Sequence, residues 1–220
     1  MGMRGHLRQV SSELVAQMRK QPELVRQVID AAPSGLDEFA TQFGIDSSNP
    51  DAMVEHLRAF VPAGQEAHLE LLKEHLANIQ TTKGDIQRDL AGDFEGKTLD
   101  LDKSWHMIHF LLTGSDAPVG TVLDNVLMGG EPIGNMDDFD LGAPRYLSPQ
   151  EVRELAKILS NFDANYVERR FRELAGKGEN VYSFRGDEDD LEYAQHYFEK
   201  LIAHYSDTAA KGFGMLSYIQ

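Results

Sequence analysis

The residues of this chain best suited to chemistry are two histidines, His106 and His109, in the stretch LDLDKSWHMIHFLLTG between Leu99 and Gly114. Spaced i and i+3, they fall within roughly 60° of each other on a helix that advances about 100° per residue. Their neighbours are apolar: Trp105, Ile108 and Leu112 take one side of that helix, and Met107, Phe110 and Leu111 cover most of the rest. Imidazoles in such a setting need polar partners, and three arrangements supply them. In the first, both rings hold a metal ion whose shell is completed by Asp100, Asp102 or Glu131; with no cysteine in the chain, His and carboxylates are the available ligands. In the second, His109 is a general base and Asp100 or Asp102 fixes its tautomer. In the third, each ring bonds a backbone carbonyl or a buried carboxylate and has no chemical task. Two histidines do not make a metal site, so neither a metal nor a cofactor is expected, and the helix is read as an internal strut.

The elements around this helix follow from local signals. Asp100 or Asp102 is expected to cap its start, and Thr113-Gly114 to end it. Met3 to Val10 reads as a strand, Ser11 or Ser12 as the cap of a helix running to Lys20, and Pro22 as the first residue of the next helix. From Leu36 to Gln80 the pattern stays helical, in the runs LDEFATQF, PDAMVEHLRAF and QEAHLELLKEHLANIQ, and Thr81 to Lys97 reads as a connector. Between Gly129 and Arg145 the run GGEPIGNMDDFDLGAPR predicts a long loop, a place where binding residues concentrate. Ser148-Pro149-Gln150-Glu151 is a capping box opening a helix to about Leu159. ANYVERRFRELAG is helical, VYSF reads as a short strand, the acidic run Asp187 to Asp190 opens a last helix through its favourable interaction with the helix dipole, and FGMLSYIQ reads as a terminal strand.

Composition narrows the class of function. Of 220 residues 41% are hydrophobic, enough for a sizeable core, and no internal repeat divides them. Asp and Glu number 36 against 21 Lys and Arg, a formal net charge of −15. Such a field repels phosphate backbones and anionic lipid, which disfavours nucleic-acid and membrane-surface binding and suits a basic partner protein. No apolar run is long enough to cross a membrane and the first residues lack a secretory pattern, so a cytoplasmic location is expected. GGEPIG lacks the spacing of a phosphate loop, and neither GxSxG nor GxGxxG occurs.

Three pieces taken together, the MGMRG start, LDLDKSWHMIHFLLTG, and LMGGEPIG followed by GAPRYLSPQEVRELAKIL, resemble the YfbM-like family of bacterial proteins, a domain-of-unknown-function family. The likeness covers about the first ten residues and most of 97 to 220. It implies a cytoplasmic α/β protein with helices layered about a central sheet, and no activity. Trp105, His109, Leu112, Thr113 and Gly114 match the family pattern, whereas His106 stands where some members carry an acid, which shifts attention to His109 and Trp105.

The expected architecture is therefore α/β in the broad sense (α+β): one domain over 1–220, with helices layered around a small mixed sheet containing the N- and C-terminal strands and a helical elaboration at about 36–96. Two functional expectations stand side by side. One is a binding module that neutralises a basic partner protein. The other is a small-molecule enzyme whose cleft is lined by Trp105, His109 and the 129–134 loop. The residues expected to bind are Trp105, His106, Gly129, Gly130, Glu131, Arg145 and Tyr146, and the candidates for catalysis are His109, Asp100 and Asp102.

Overall fold

A computed structural model describes residues 2–30, 50–58, 73, 96–135, 139, 141–174 and 176–220. The chain divides into two compact units, residues 1–26 with 95–220 and residues 27–94. Among the described residues there are seven α-helices and one five-stranded sheet. None of these helices is long and apolar enough to cross a membrane.

In the first unit the strands are β1 (Gly5–Val10), β2 (Thr98–Asp100), β3 (Glu131–Pro132), β4 (Arg145–Leu147) and β5 (Gly214–Ile219), in the order β2-β1-β5-β4-β3. Both terminal segments are strands, as their sequences predict, and they pair with each other from Gly5↔Ile219 to Val10↔Gly214. The sheet is antiparallel at every pairing and not mixed. Strand direction depends on which end of the sheet each connection returns to, and alternation of side chains along a strand carries no trace of that.

Antiparallel register puts directly opposed residues on one face. Leu7, Leu99, Arg145, Leu147, Met215 and Ser217 therefore share a face, and His6, Arg8, Leu216, Tyr146 and Tyr218 share the other. Leu7, Leu99, Leu147 and Met215 join the main apolar core, closed over by α4 (Ser104–Thr113), α5 (Pro149–Leu159), α6 (Ala164–Leu174) and α7 (Glu188–Lys211). Each of these helices presents its apolar residues at core spacing: Val152, Leu155 and Leu159 on α5, Val167, Phe171 and Leu174 on α6, Leu191, Ala194, Phe198, Leu201 and Tyr205 on α7. Burying each large side chain contributes about 1.5–3 kcal/mol, so this layer is the main source of cohesion. On the opposite face Arg19 of α1 (Ser12–Lys20) lies over the Tyr146 ring at 5.7 Å.

The caps fall largely where the residue types put them. Ser11 accepts from the Leu14 N–H at 3.1 Å, Ser148 and Glu151 close the expected capping box, and Gly114 ends α4 in the left-handed region at φ 78°. Asp187 caps α7 by accepting from the Asp190 N–H at 3.0 Å. Asp190 itself is buried and takes the N–H groups of Arg185 and Gly186, so the acidic run is spent on ending one turn and starting a helix.

Three local expectations are corrected. Neither Asp100 nor Asp102 caps α4: Asp100 belongs to β2, Asp102 sits in the turn at φ 48°, and Lys103 holds the cap position without a side-chain bond. VYSF is not a strand, because the Tyr182 N–H is taken by His106 and the Phe184 N–H closes a turn on Val181, leaving no ladder to build. The loop from Gly129 to Arg145 is shorter than expected, since its first residues form β3 and pair with β4 as a hairpin.

In the second unit the described residues show helix α3 (Pro50–Arg58), where PDAMVEHLRAF predicts one, and Lys73, whose ammonium pairs with Asp51 at 2.5 Å. Helix α2 (Glu23–Asp30), opened after Pro22, runs from the first unit into this one. LDEFATQF, nearly all of QEAHLELLKEHLANIQ and most of the Thr81 to Lys97 connector lie outside the described residues.

Candidate functional site

His106 and His109 turn to different surroundings. His106 Nε2 lies 2.7 Å from the Asp116 carbonyl and its Nδ1 accepts the Tyr182 N–H at 2.9 Å. This pair of bonds requires the Nε2–H tautomer and makes the ring a strut between two loops. Its face is stacked on Trp105 at 4.8 Å between centroids. Trp105 is itself buried and stacks in turn on Tyr182 at 6.4 Å.

His109 is fully buried, and neither ring nitrogen meets a partner at full hydrogen-bond geometry, the Ala117 backbone being close enough only to favour the charged ring. Its nearest anion is Asp124, with Nε2 3.8 Å from Oδ1. Burial pulls the imidazole below its ordinary pKa, against the opposing pull of the Ala117 backbone and the Asp124 carboxylate. The acid beside His109 is thus Asp124, not Asp100 or Asp102. Asp100 accepts from Arg4 at 2.5 Å, and Asp102 accepts the Tyr193 hydroxyl at 2.8 Å. That contact and burial push the Tyr193 phenol well above its ordinary range. Among the described residues no three metal-ligating side chains come together.

Asp124 is the hinge between this core and the surface. Its carboxylate accepts the Thr121 N–H at 2.6 Å, the Thr121 hydroxyl at 3.2 Å and the Val119 N–H at 3.2 Å, and it holds the 3-10 turn Val122–Val126 in place. Burial raises its pKa, but these donors more than offset it, so the carboxyl lies below its ordinary value. The pattern Thr-x-x-Asp at 121–124 is a capping signature that sequence reading passed over.

Outside Asp124 lies a depression of about 470 Å³, lined by Thr121, Val122, Asp124, Asn125, Gly129, Gly130 and Arg145 among others. A second, of about 300 Å³, is lined mainly by apolar residues including Leu127, Leu141, Ala143 and Ile219. Met128 and Arg145 line both. Volumes of this order match small-molecule sites. Arg145 is held from one side only, by its Nε–H to the Gly130 carbonyl at 3.2 Å. Among the described residues its guanidinium meets no carboxylate. Gly130 sits at φ 93°, and a Cβ there would collide with the Tyr146 carbonyl, so the approach of β3 to β4 that places Arg145 depends on glycine.

Of the residues singled out from sequence, Gly129, Gly130 and Arg145 meet at this surface. Trp105, His106 and His109 line neither depression, and Tyr146 is buried under the Arg19 guanidinium. Glu131 is exposed and pairs with Arg19. Val119, Val122 and Leu141, the exposed large hydrophobic residues among those described, were not foreseen. Val122 lines the first depression, Leu141 the second, and the Val119 N–H binds Asp124 at the rim. A lone exposed valine carries no sequence signal, and only the fold brings the three to one surface.

An antiparallel sheet tied together by both chain ends and layered by helices defines an α+β class of protein. The chain belongs to the family of the domain of unknown function DUF1877, whose model matches residues 1–218. That span takes in the helical segment as well as the motifs that resemble the YfbM-like family. The crystal structure of YfbM, a protein of unknown function from Escherichia coli, is similar in fold, with a TM-score of 0.51 and 16% identity over 99% of both chains. No curated protein matches the chain.

Proposed function

We propose that this is a binding protein that receives a small anionic group at Arg145. One observation carries the reading: a half-buried arginine, fixed by its Nε–H and ion-paired with no carboxylate among the described residues, lines two adjoining depressions whose surroundings hold the exposed apolar side chains. A chain with 15 surplus negative charges has carboxylates in abundance to neutralise an arginine. An arginine left open in that setting is available to a carboxylate or phosphate, which its planar fork can grip through two parallel bonds. The remaining charge does not forbid this, because exposed charges beyond about 8 Å are largely screened at physiological ionic strength.

The test is a titration with acetate and inorganic phosphate, followed by amide NMR shifts. The expected result is saturable shifts at Gly129, Gly130 and Arg145, and binding at least about tenfold weaker in Arg145→Gln, as befits loss of a charged hydrogen-bonding partner. Equal binding by the variant, or no saturable shift, removes the reading. Catalysis through His109 draws no comparable support, since a base needs a nitrogen open to substrate and this ring is fully covered.

A second reading, neutralisation of a basic partner protein, is favoured by a separate observation. Arg4, Arg172, Arg185 and Lys211 are each already paired with a carboxylate of the chain, which leaves the excess acid unmatched. Association driven by that charge is expected to weaken steeply with salt. A pull-down from native cells at low ionic strength that captures no basic protein would exclude it.

A further inference from the structure

We infer that the anion received at Arg145 is a monocarboxylate with an apolar chain, its head on the guanidinium and its chain in the groove between Leu127, Leu141, Ala143 and Ile219. This rests on the reading of Arg145 as an anion site and adds the chemistry of the rest of the ligand.

The groove is continuous with that site, because Arg145 and Met128 line both depressions. Its walls are built from side chains that offer dispersion and no hydrogen bonds: Leu127, Met128, Pro132, Leu141, Ala143 and Ile219. The polar side chain of Ser217 is already spent, since its hydroxyl donates to the Leu127 carbonyl. Among the described residues Arg145 is the one charged side chain of this lining, and Tyr218, which also lines it, turns its ring onto His6 on the other face of the sheet. A peptide ending in a free carboxylate fits less well, because it would bring amide groups into a groove that cannot pair them.

Charge sets the number of anionic groups at one. Asp124, whose carboxylate is held ionised by the Thr121 and Val119 donors, lines the same first depression as Arg145, so a second anionic group there would meet like charge. The exposed side chains supply the last point. Leu141 is 47% exposed at the groove, and Val122 is 50% exposed in the adjoining depression. Apolar surface collected beside a cation that pairs with no carboxylate among the described residues is what a ligand with a charged head and an apolar tail requires.

The experiment titrates the full chain with acetate, butyrate, hexanoate and octanoate, kept below micelle-forming concentrations, by calorimetry. Affinity is expected to rise about two- to fourfold for each methylene that enters the groove. Leu141→Ser, a change at an exposed position that leaves the core untouched, is expected to flatten that rise while acetate binding stays unchanged. Arg145→Gln is expected to weaken all four acids. If acetate and octanoate bind equally tightly and both depend on Arg145, the chain is refuted and the anion site stands. If none binds in an Arg145-dependent way, both fall. Octanol binding as tightly as octanoate, or a short peptide with a free C-terminal leucine binding more tightly than hexanoate, would also overturn the inference.

Discussion

Taken from pH 7 to pH 4, the protein is expected to lose about 3 kcal/mol of folding stability through one side chain, His204. This residue lies on α7, buried, with Nε2 lacking a partner. Burial lowers its pKa from the model-peptide value of 6.5 to about 4. The groups that face it oppose one another: Asp207 and the Leu7 backbone favour the charged ring, Lys211 and Lys97 disfavour it. The sign follows from proton counting. Above about pH 6.5 the ring is neutral folded and unfolded. Between about 6.5 and 4 the unfolded chain binds a proton that the folded chain refuses, so stability falls as pH falls, by roughly 1.4 kcal/mol per pH unit, until the folded ring also protonates. His6 and His109 are pulled down by burial too, and add to the slope with the same sign. Asp124 and Asp207 lie below their ordinary values, so their contributions are present above about pH 4 and are lost only below it, outside the histidine window. Urea unfolding of the wild type and of His204→Leu across this range is the measurement. The stability difference between the two is expected to move by about 3 kcal/mol in favour of the variant on acidification. A difference that stays constant with pH would show that His204 does not carry the effect.

Asp124→Ala is the second large effect, expected to cost about 3–5 kcal/mol, the range for removing one member of a buried, bonded charge network. Three donors lose their acceptor at once: the Thr121 N–H, the Thr121 hydroxyl and the Val119 N–H. His109, with Nε2 at 3.8 Å, loses its nearest anion. Asp124→Asn is expected to cost less, about 1–3 kcal/mol, because one carbonyl oxygen still accepts while its amide group faces donors. Amide exchange gives the local readout. The Thr121 and Val119 amides are expected to exchange faster in Asp124→Ala, and an unchanged pattern with less than about 0.5 kcal/mol lost would show that this carboxylate is not a structural keystone. The same variant removes an anionic group from the depression that Arg145 lines, so a dianion such as phosphate is expected to gain relative to acetate.

Much of the fold was legible because the signals are local. Ser11, Ser148 and Asp187 cap the helices they precede, since a short polar side chain satisfies donors two or three residues away wherever the chain goes next. The core faces of α5, α6 and α7 follow from spacing alone. The failures share a cause of the opposite kind. Asp100 and Asp102 have the right type for a cap, but β1 draws the former into a strand and Tyr193, distant in sequence, draws the latter away. VYSF has strand composition, yet His106, 76 positions earlier, takes its Tyr182 N–H. A long-range partner overrules local propensity, and sequence order holds no record of the partner.

The candidate site divides in the same way. From sequence, Gly129, Gly130 and Arg145 stood out through glycine content and position, while Trp105, His106 and His109 stood out through chemical type. The histidine helix is buried, because an imidazole in an apolar run is drawn inward with the side chains around it, but of its two rings only His106 makes the hydrogen bonds a strut would need. Met128 and Leu141 enter the candidate site only through their place beside Arg145.

What the sequence determined by itself is the set of interactions closed within a few residues: the caps, the periodic core faces, the strand character of both ends, and the acidic charge. The tertiary structure alone decided which strands pair and in which direction, that His109 faces Asp124, and that Arg145 lines two depressions. Those depend on groups from 15 positions apart, as His109 and Asp124 are, to 214 apart, as Gly5 and Ile219 are, where cohesion comes from non-directional burial and many sequences of contacts are compatible with one pattern of apolar residues.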